Sequence, residues 1–371
     1  MVDFLFYFSC DLQNMSIPNI KKPDDPRFSC GPTKKPEGWS LKKIKDKFLG
    51  RYHRSDDVKI YIDKQISKLR KTLQIPNDYR IYIIPGSCTG AMEAVIWSVL
   101  GNRKITAIVY DHWGKTWCDD INKLHFKLDC RVSLDGSMPE LKKIPKDNDL
   151  LFVWTGTTTG VSINNLEFLN VNHNGLVVSD INSAVFIYDI PWKKIDVSVF
   201  SWQKALGSES QHGIIVMSPK AIDDLRQKNN IPKIFDLKKI NFLINTPSLL
   251  SIADFELCLD IYNKNGGLMG NKKKCETNHS IISNWIKTNG YLNQFAQKEK
   301  FRALSPVYAT FKHKFNYDDL FKFLNKNQIA YDIKNYRLCE PGIRIWTGPT
   351  IKKNDLIALT NWLDWSFNKF V

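Results

Sequence analysis

The chain has 371 residues, enough for one large domain or two with a sizeable core. Lys and Arg total 53 against 38 Asp and Glu, a formal charge of +15, while 43% of residues are hydrophobic and 25% charged. This composition excludes bulk disorder, and the lack of any eighteen-residue apolar window excludes a membrane-spanning helix.

In chain order, residues 1–27 read as an extension and arm. Their apolar start, MVDFLFYFSC, lacks a basic leader and is followed by Asp11, so it is not read as a signal peptide, and Met15 is an alternative start. Ile62, Ile66, Leu69 and Leu73 then recur at helical spacing and predict a helix with one buried stripe. Strand-length apolar runs follow: RIYIIP (80–85), ITAIVY (105–110), LLFVW (150–154), LVVSD (176–180), VSVFS (197–201) and GIIVM (213–217). Helical patterns such as Met92, Val95, Ile96 and Val99 separate them, and this alternation predicts an α/β fold with a largely parallel sheet. Residues 244–267 read as a loop entering a long helix that ends at Gly266–Gly267, which places a boundary near 265. A large domain over 28–265 and a smaller α+β domain over 266–371 result. In the latter, PVYATFKHKF (306–315) reads as a strand, and Leu356, Leu359, Leu363 and Phe367 mark a closing amphipathic helix behind Asn354.

The eight cysteines form no CxxC pair, and no His stands at ligand spacing from a cysteine pair, so no metal site is expected. Scattered cysteines in a long chain predict a reduced, cytoplasmic protein. Short, separated basic runs such as KKIKDKF (42–48), NKKKC (271–275) and IKKND (351–355) read as solvated helix faces. Neither nucleic acid nor membrane is therefore expected as a partner, and a basic enzyme acting on small anions fits the charge.

The chemistry concentrates in SVFSWQKALGSESQHG (198–213), where Lys204 follows an apolar strand and precedes a Gly/Ser-rich turn. That is where α/β proteins place their ligands. Asp180 ends another apolar strand, and a carboxylate there needs a positive partner to offset desolvation. Pyridoxal phosphate supplies one: its aldehyde joins a lysine as a Schiff base, and an acidic residue pairs with its ring nitrogen. The cofactor's phosphate needs a third element. PGSCTGAMEAVIWSVL (85–100) provides a tight turn after a strand, opening a helix whose free N–H groups bind a dianion.

Seven segments, FSCGP (28–32), LGRYHRSD (49–56), PGSCTGAMEAVIWSVLG (85–101), WTGTTTGV (154–161), FSWQKALG (200–207), INTPS (244–248) and GIRIWTGPT (342–350), resemble the phosphoserine aminotransferase family in order and spacing. The resemblance implies a fold-type-I, pyridoxal-phosphate-dependent transferase of the class V aminotransferases, a homodimer with shared active sites. The implied reaction moves the amino group of L-glutamate to 3-phosphohydroxypyruvate, giving O-phospho-L-serine and 2-oxoglutarate in L-serine biosynthesis. Some members also serve vitamin B6 biosynthesis.

By the same resemblance, Lys204 is the Schiff-base lysine and Asp180 the partner of the ring nitrogen. Ser87, Cys88 and Gln203 serve the cofactor phosphate, Trp117 stacks on the ring, and Thr157 bonds its phenolic oxygen. Asn245 and Thr246 reach the phosphate from the other subunit. Arg344 holds the substrate α-carboxylate, His53 and Arg54 the substrate phosphate, and Arg337 assists. Thr155 stands where Asn is usual, Cys88 where some relatives carry an arginine, and the stretch after the lysine is Gly207-Ser208-Glu209-Ser210. Rival readings are a cysteine desulfurase with Cys339 as nucleophile, a serine–glyoxylate-type aminotransferase without the His53–Arg54 anchor, and a non-catalytic basic binding protein.

Overall fold

The computed structural model describes residues 17–169, 172–226, 230–240, 246–337 and 339–371. Helix α1 (Asp56–Leu73) opens the ordered core and buries Val58, Ile62 and Leu69 on one face. The chain then alternates through β1 (Arg80–Pro85), α2 (Ser87–Ser98), β2 (Ile105–Val109), α3 (His112–Lys123), β3 (Leu128–Val132), β4 (Asp149–Val153), β5 (Val177–Asp180), β6 (Val197–Ser201), β7 (His212–Met217) and the short α4 (Pro219–Asp223).

The seven strands form one sheet in the order β1-β7-β6-β5-β4-β2-β3. Neighbours from β6 to β3 are parallel, and β7 runs antiparallel to both β1 and β6. Every residue of β2, β4, β5, β6 and β7 is buried, as in a sheet covered on both faces. Side chains alternate between two cores: Ile81 and Ile83 face one, Tyr82 and Ile84 the other. Strand β3 is the one that the apolar runs did not reveal. It lies at the sheet edge, half-buried, with Asp129 and Arg131 breaking the pattern.

Helix α5 (Leu249–Lys264) starts at Ser248, whose Oγ accepts the Ser251 N–H at 3.2 Å, and packs on α1. Helix α6 (Gly267–Thr288) follows at once, so Gly266–Gly267 marks a corner between helices. Beyond it, β8 (Leu292–Gln294), β9 (Val307–Phe311) and β10 (Gly342–Ile345) form an antiparallel sheet in the order β10-β9-β8, flanked by α7 (Tyr317–Lys326) and α8 (Lys353–Phe370). Leu356, Leu359, Leu363 and Phe367 of α8 are fully buried, as their spacing predicts. The capping residue differs from expectation: α8 is preceded by Lys352, and Asn354 lies inside it. Its first turn is instead tied down by Asp355, which accepts the Asp24 N–H at 2.9 Å and the Lys34 ammonium at 3.2 Å.

The segment before α1 joins the two sheets. Trp346, just after β10, donates its N–H to the Phe28 carbonyl, while Thr33 donates to the Gln203 carbonyl beyond β6. Among the described residues no helix is long and apolar enough to cross a membrane.

Candidate active site

A cavity of about 210 Å³ opens at the carboxyl ends of β4, β5 and β6, and its walls include Ser87, Cys88, Trp117, Thr157, Asp180, Gln203 and Lys204. Seven expected site residues thus face one space, at the end of the sheet where α/β folds receive ligands.

Lys204 follows β6 and is buried. Its Nζ donates to the Cys30 carbonyl at 2.6 Å. Burial lowers its pKa from 10.5 to about 8, with the nearby Arg344 charge adding to the effect and Asp180 opposing it. The backbone around it is held on two sides. Thr33 hydrogen-bonds the Gln203 and Lys204 carbonyls at 2.9 and 2.6 Å. On the other side, the buried Asp254 carboxylate of α5 accepts the Ser208 hydroxyl at 2.5 Å and the Glu209 N–H at 2.9 Å.

Asp180 ends β5 with its carboxylate buried. Its oxygens accept the Asn182 N–H at 3.0 Å, the Trp117 indole N–H at 3.3 Å and the Cys88 thiol at 3.5 Å. Burial raises its pKa, while those three donors and the charge of Lys204 favour the carboxylate. Burial, then Asp180, pushes the Cys88 thiol well up, so Cys88 acts as a donor and not as a thiolate.

The expected turn forms where the sequence places it, with left-handed Gly86 (φ +86°) ahead of α2 and Ser87 (φ +57°), the first residue of α2, also left-handed. The distribution of donors is different from that expected. The Gly86 and Ser87 N–H groups point to the Gln211 carbonyl at 3.2 and 3.4 Å. The remaining first-turn N–H groups, of Cys88 and Thr89, have no place in the helical ladder.

Thr157 bonds Ser183 through their hydroxyls at 2.6 Å, and its carbonyl accepts Arg344 Nη1 at 3.1 Å. Arg344 Nε is buried without a partner. Thr155 turns away to Ser162, 3.2 Å distant, and is not among the lining residues. Cys339 donates its thiol to the Thr158 carbonyl at 3.9 Å, and burial raises its pKa, which is not the setting of a nucleophilic thiolate.

Five predicted residues are not among those that line this cavity: buried His53 and exposed Arg54 before α1, exposed Thr246 before α5, half-buried Arg344 of β10, and exposed Arg337, which lines a separate pocket with Cys339. Asn245 lies outside the described residues. The cavity also includes Gly31, Thr89, Trp113 and Asn182, which sequence reasoning did not single out. Asn182 had a local signal, standing two residues after Asp180. Gly31 lies in the FSCGP segment (28–32), but its meeting with Lys204 comes only through the fold.

A buried amine and a buried carboxylate facing one space, with no ion pair joining them among the described residues, fit a ring that grips both. A Cβ on Gly31 would lie 2.2 Å from Lys204 Nζ, so glycine leaves the room the amine occupies. No cluster of metal-ligating residues stands among the described residues. The site fits pyridoxal phosphate.

No family model matches the chain. It is 38% identical over 363 residues to a phosphoserine aminotransferase of Methanosarcina barkeri, covering 93% of this chain and 98% of the relative. A phosphoserine aminotransferase of Methanosarcina mazei is 36% identical with the same coverage. Among solved structures, pyridoxal-phosphate-bound phosphoserine aminotransferase from Trichomonas vaginalis superposes with a TM-score of 0.77 over 91% of this chain and 99% of that one. At 16% identity that likeness shows the shared fold, that of the pyridoxal phosphate aminotransferases. Because the likeness to the two Methanosarcina relatives runs over nearly the whole of both sequences, the chain belongs to the phosphoserine aminotransferase family.

Proposed function

We propose that this protein is a pyridoxal-phosphate-dependent transaminase that moves the amino group of L-glutamate to 3-phosphohydroxypyruvate, forming O-phospho-L-serine and 2-oxoglutarate for L-serine biosynthesis. The observation that carries the reading is that Lys204 and Asp180 line one cavity without joining each other. Pyridoxal phosphate, when bound, supplies an aldehyde for amine exchange and an electron-accepting ring.

Lys204 Nζ is the base that takes the substrate's Cα proton, and its lowered pKa leaves a usable fraction neutral near pH 8. Asp180 holds the proton at the ring nitrogen, oriented by Asn182, Trp117 and Cys88. The Cys88 and Thr89 N–H groups, Ser87 and Gln203 hold the cofactor phosphate, Trp117 covers a ring face, and Thr157 meets the phenolic oxygen. Arg344 takes the α-carboxylate with a planar fork suited to two parallel bonds. His53, Arg54 and Arg337 take the substrate phosphate. The position of His53, Arg54 and Thr246 outside the cavity of their own chain supports a role across a homodimer, with Asn245 beside Thr246. We assign the large domain to 28–265 and the small one to 266–371. The same anchors suit a phosphorylated substrate of vitamin B6 synthesis. Seven free cysteines among the described residues support a cytoplasmic location.

The visible spectrum of the purified protein tests the cofactor and the first half-reaction. A long-wavelength band that glutamate abolishes is expected. Comparing 3-phosphohydroxypyruvate with hydroxypyruvate tests the acceptor. Equal kcat/KM for the two would transfer the assignment to a serine–glyoxylate-type aminotransferase.

A further inference from the structure

Arg337 and Arg344 share one aromatic ring. The guanidinium carbon of Arg344 lies 5.2 Å from the centroid of Tyr336, and that of Arg337 lies 5.1 Å from it. The ring of Tyr336 also meets His112 edge-on at 5.2 Å and Trp113 at 6.0 Å. Trp113 stacks at 5.8 Å on Trp117, whose indole reaches Asp180. A run of rings therefore links the cavity's carboxylate to both arginines, which stand beyond its lining residues.

Neither arginine has an ion pair among the described residues. Among the described residues the Arg344 guanidinium makes one hydrogen bond, to the Thr157 carbonyl, and its buried Nε has no partner. Arg337 has a backbone φ of +32°, a conformation that non-glycine residues seldom adopt. Arg344 is half-buried and needs another source of negative potential in place of a counter-ion; the face of Tyr336 supplies it, and exposed Arg337 shares that ring. Burial and the charge of Arg337 push the His112 pKa down, so the imidazole adds no third charge at neutral pH.

We propose that Tyr336 is a positioning residue that fixes the separation of the two guanidinium groups and so selects substrates carrying two anions. This rests on the function proposed above, in which both arginines meet the substrate. The phosphorylated keto acid and glutamate each carry two anionic groups, and a shared ring under both cations sets which spacing fits. Losing the ring face should weaken each anion contact by roughly 2- to 30-fold, the range from exposed to desolvated cation–π pairs, with the larger effect at half-buried Arg344.

The test compares Tyr336→Phe, which keeps the face, with Tyr336→Leu, which keeps bulk and loses it. Tyr336→Phe should stay within about threefold of the native enzyme. Tyr336→Leu should raise KM for 3-phosphohydroxypyruvate by roughly 5- to 30-fold with kcat nearly unchanged. Its KM for hydroxypyruvate should rise less, so discrimination between the two shrinks. A fall in kcat at constant KM, or equal damage from both variants, would overturn the proposal. Equilibrium binding of glutarate and butyrate to the holoenzyme gives a readout independent of turnover: Tyr336→Leu should lose more affinity for the dianion than for the monoanion. An equal loss would also overturn it. If the native enzyme fails to turn over phosphohydroxypyruvate while that binding selectivity still depends on Tyr336, the functional reading fails and the positioning role stands.

Discussion

Replacing Gly31 by alanine tests how Lys204 is held. The new methyl would lie 2.2 Å from Nζ, 2.6 Å from Cε and 2.7 Å from Cδ of Lys204. No pair of atoms tolerates such approach, so the flexible lysine must swing away and give up its 2.6 Å bond to the Cys30 carbonyl. The backbone resists as well, because Gly31 sits at φ +142°, where alanine is strained by about 1–3 kcal/mol. Loss of the amine's hydrogen bond adds about 1–2 kcal/mol. The functional effect is larger. A general base contributes on the order of 10²–10⁴-fold, and a displacement of about 1 Å can forfeit 10²-fold. Gly38→Ala is the control: Gly38 also has positive φ, +88°, but nothing lies within 4 Å of its added Cβ. Both variants should lower the urea midpoint, whereas only Gly31→Ala should lower kcat, by about 10²-fold or more. If the two variants have the same kcat, the contact between residue 31 and the lysine does not position the base.

Three further outcomes follow from the groups around the cavity. Lys204 is lowered from 10.5 to about 8 by burial, so between those values the unfolded chain holds a proton that the folded one lacks, and stability climbs with pH. Below about pH 8 the buried charge destabilises the fold; Lys204→Met should therefore gain roughly 3 kcal/mol at pH 7 without cofactor, an advantage gone above pH 10.5, as read from urea midpoints across pH. Asp254→Ala strips the acceptor from Lys35, Trp39, Ser208 and Glu209, and should cost about 3–5 kcal/mol in denaturant titrations. Asp111→Ala removes the cap that accepts the Gly114 N–H at 2.8 Å and should cost about 1 kcal/mol, while Asp111→Asn should recover most of it.

The half of the site built from strand ends was legible because its signals are local. An apolar run stopping at Asp180, another stopping before Lys204, and a glycine turn opening a helix each occupy a few consecutive residues, and the sheet brings such ends together without further instruction. The other half is made by segments remote in sequence: Cys30 against Lys204, Tyr336 under Arg344, and Asp254 on the loop after the lysine. No periodicity records those meetings, and β3 was hidden for a related reason, since an edge strand half-covered by helix keeps too few apolar residues to stand out.

The remote half also explains how the local half survives folding. Lys204 and Asp180 are buried and do not pair with each other among the described residues, so each carries a desolvation cost that a direct ion pair would have offset. Such a pair would close the cavity that the ring must enter. The stabilisation has to come from outside it, and Asp254 is where it collects: one buried carboxylate fastens the segment around Lys35 and Trp39 and the loop after Lys204 to α5. Opposite signs are therefore expected for two acts on the same loop, removing the amine stabilising the unliganded fold and removing the distant carboxylate destabilising it. Were both to destabilise equally, Lys204 would be part of the fold's support and the division between a strained site and its external brace would be wrong.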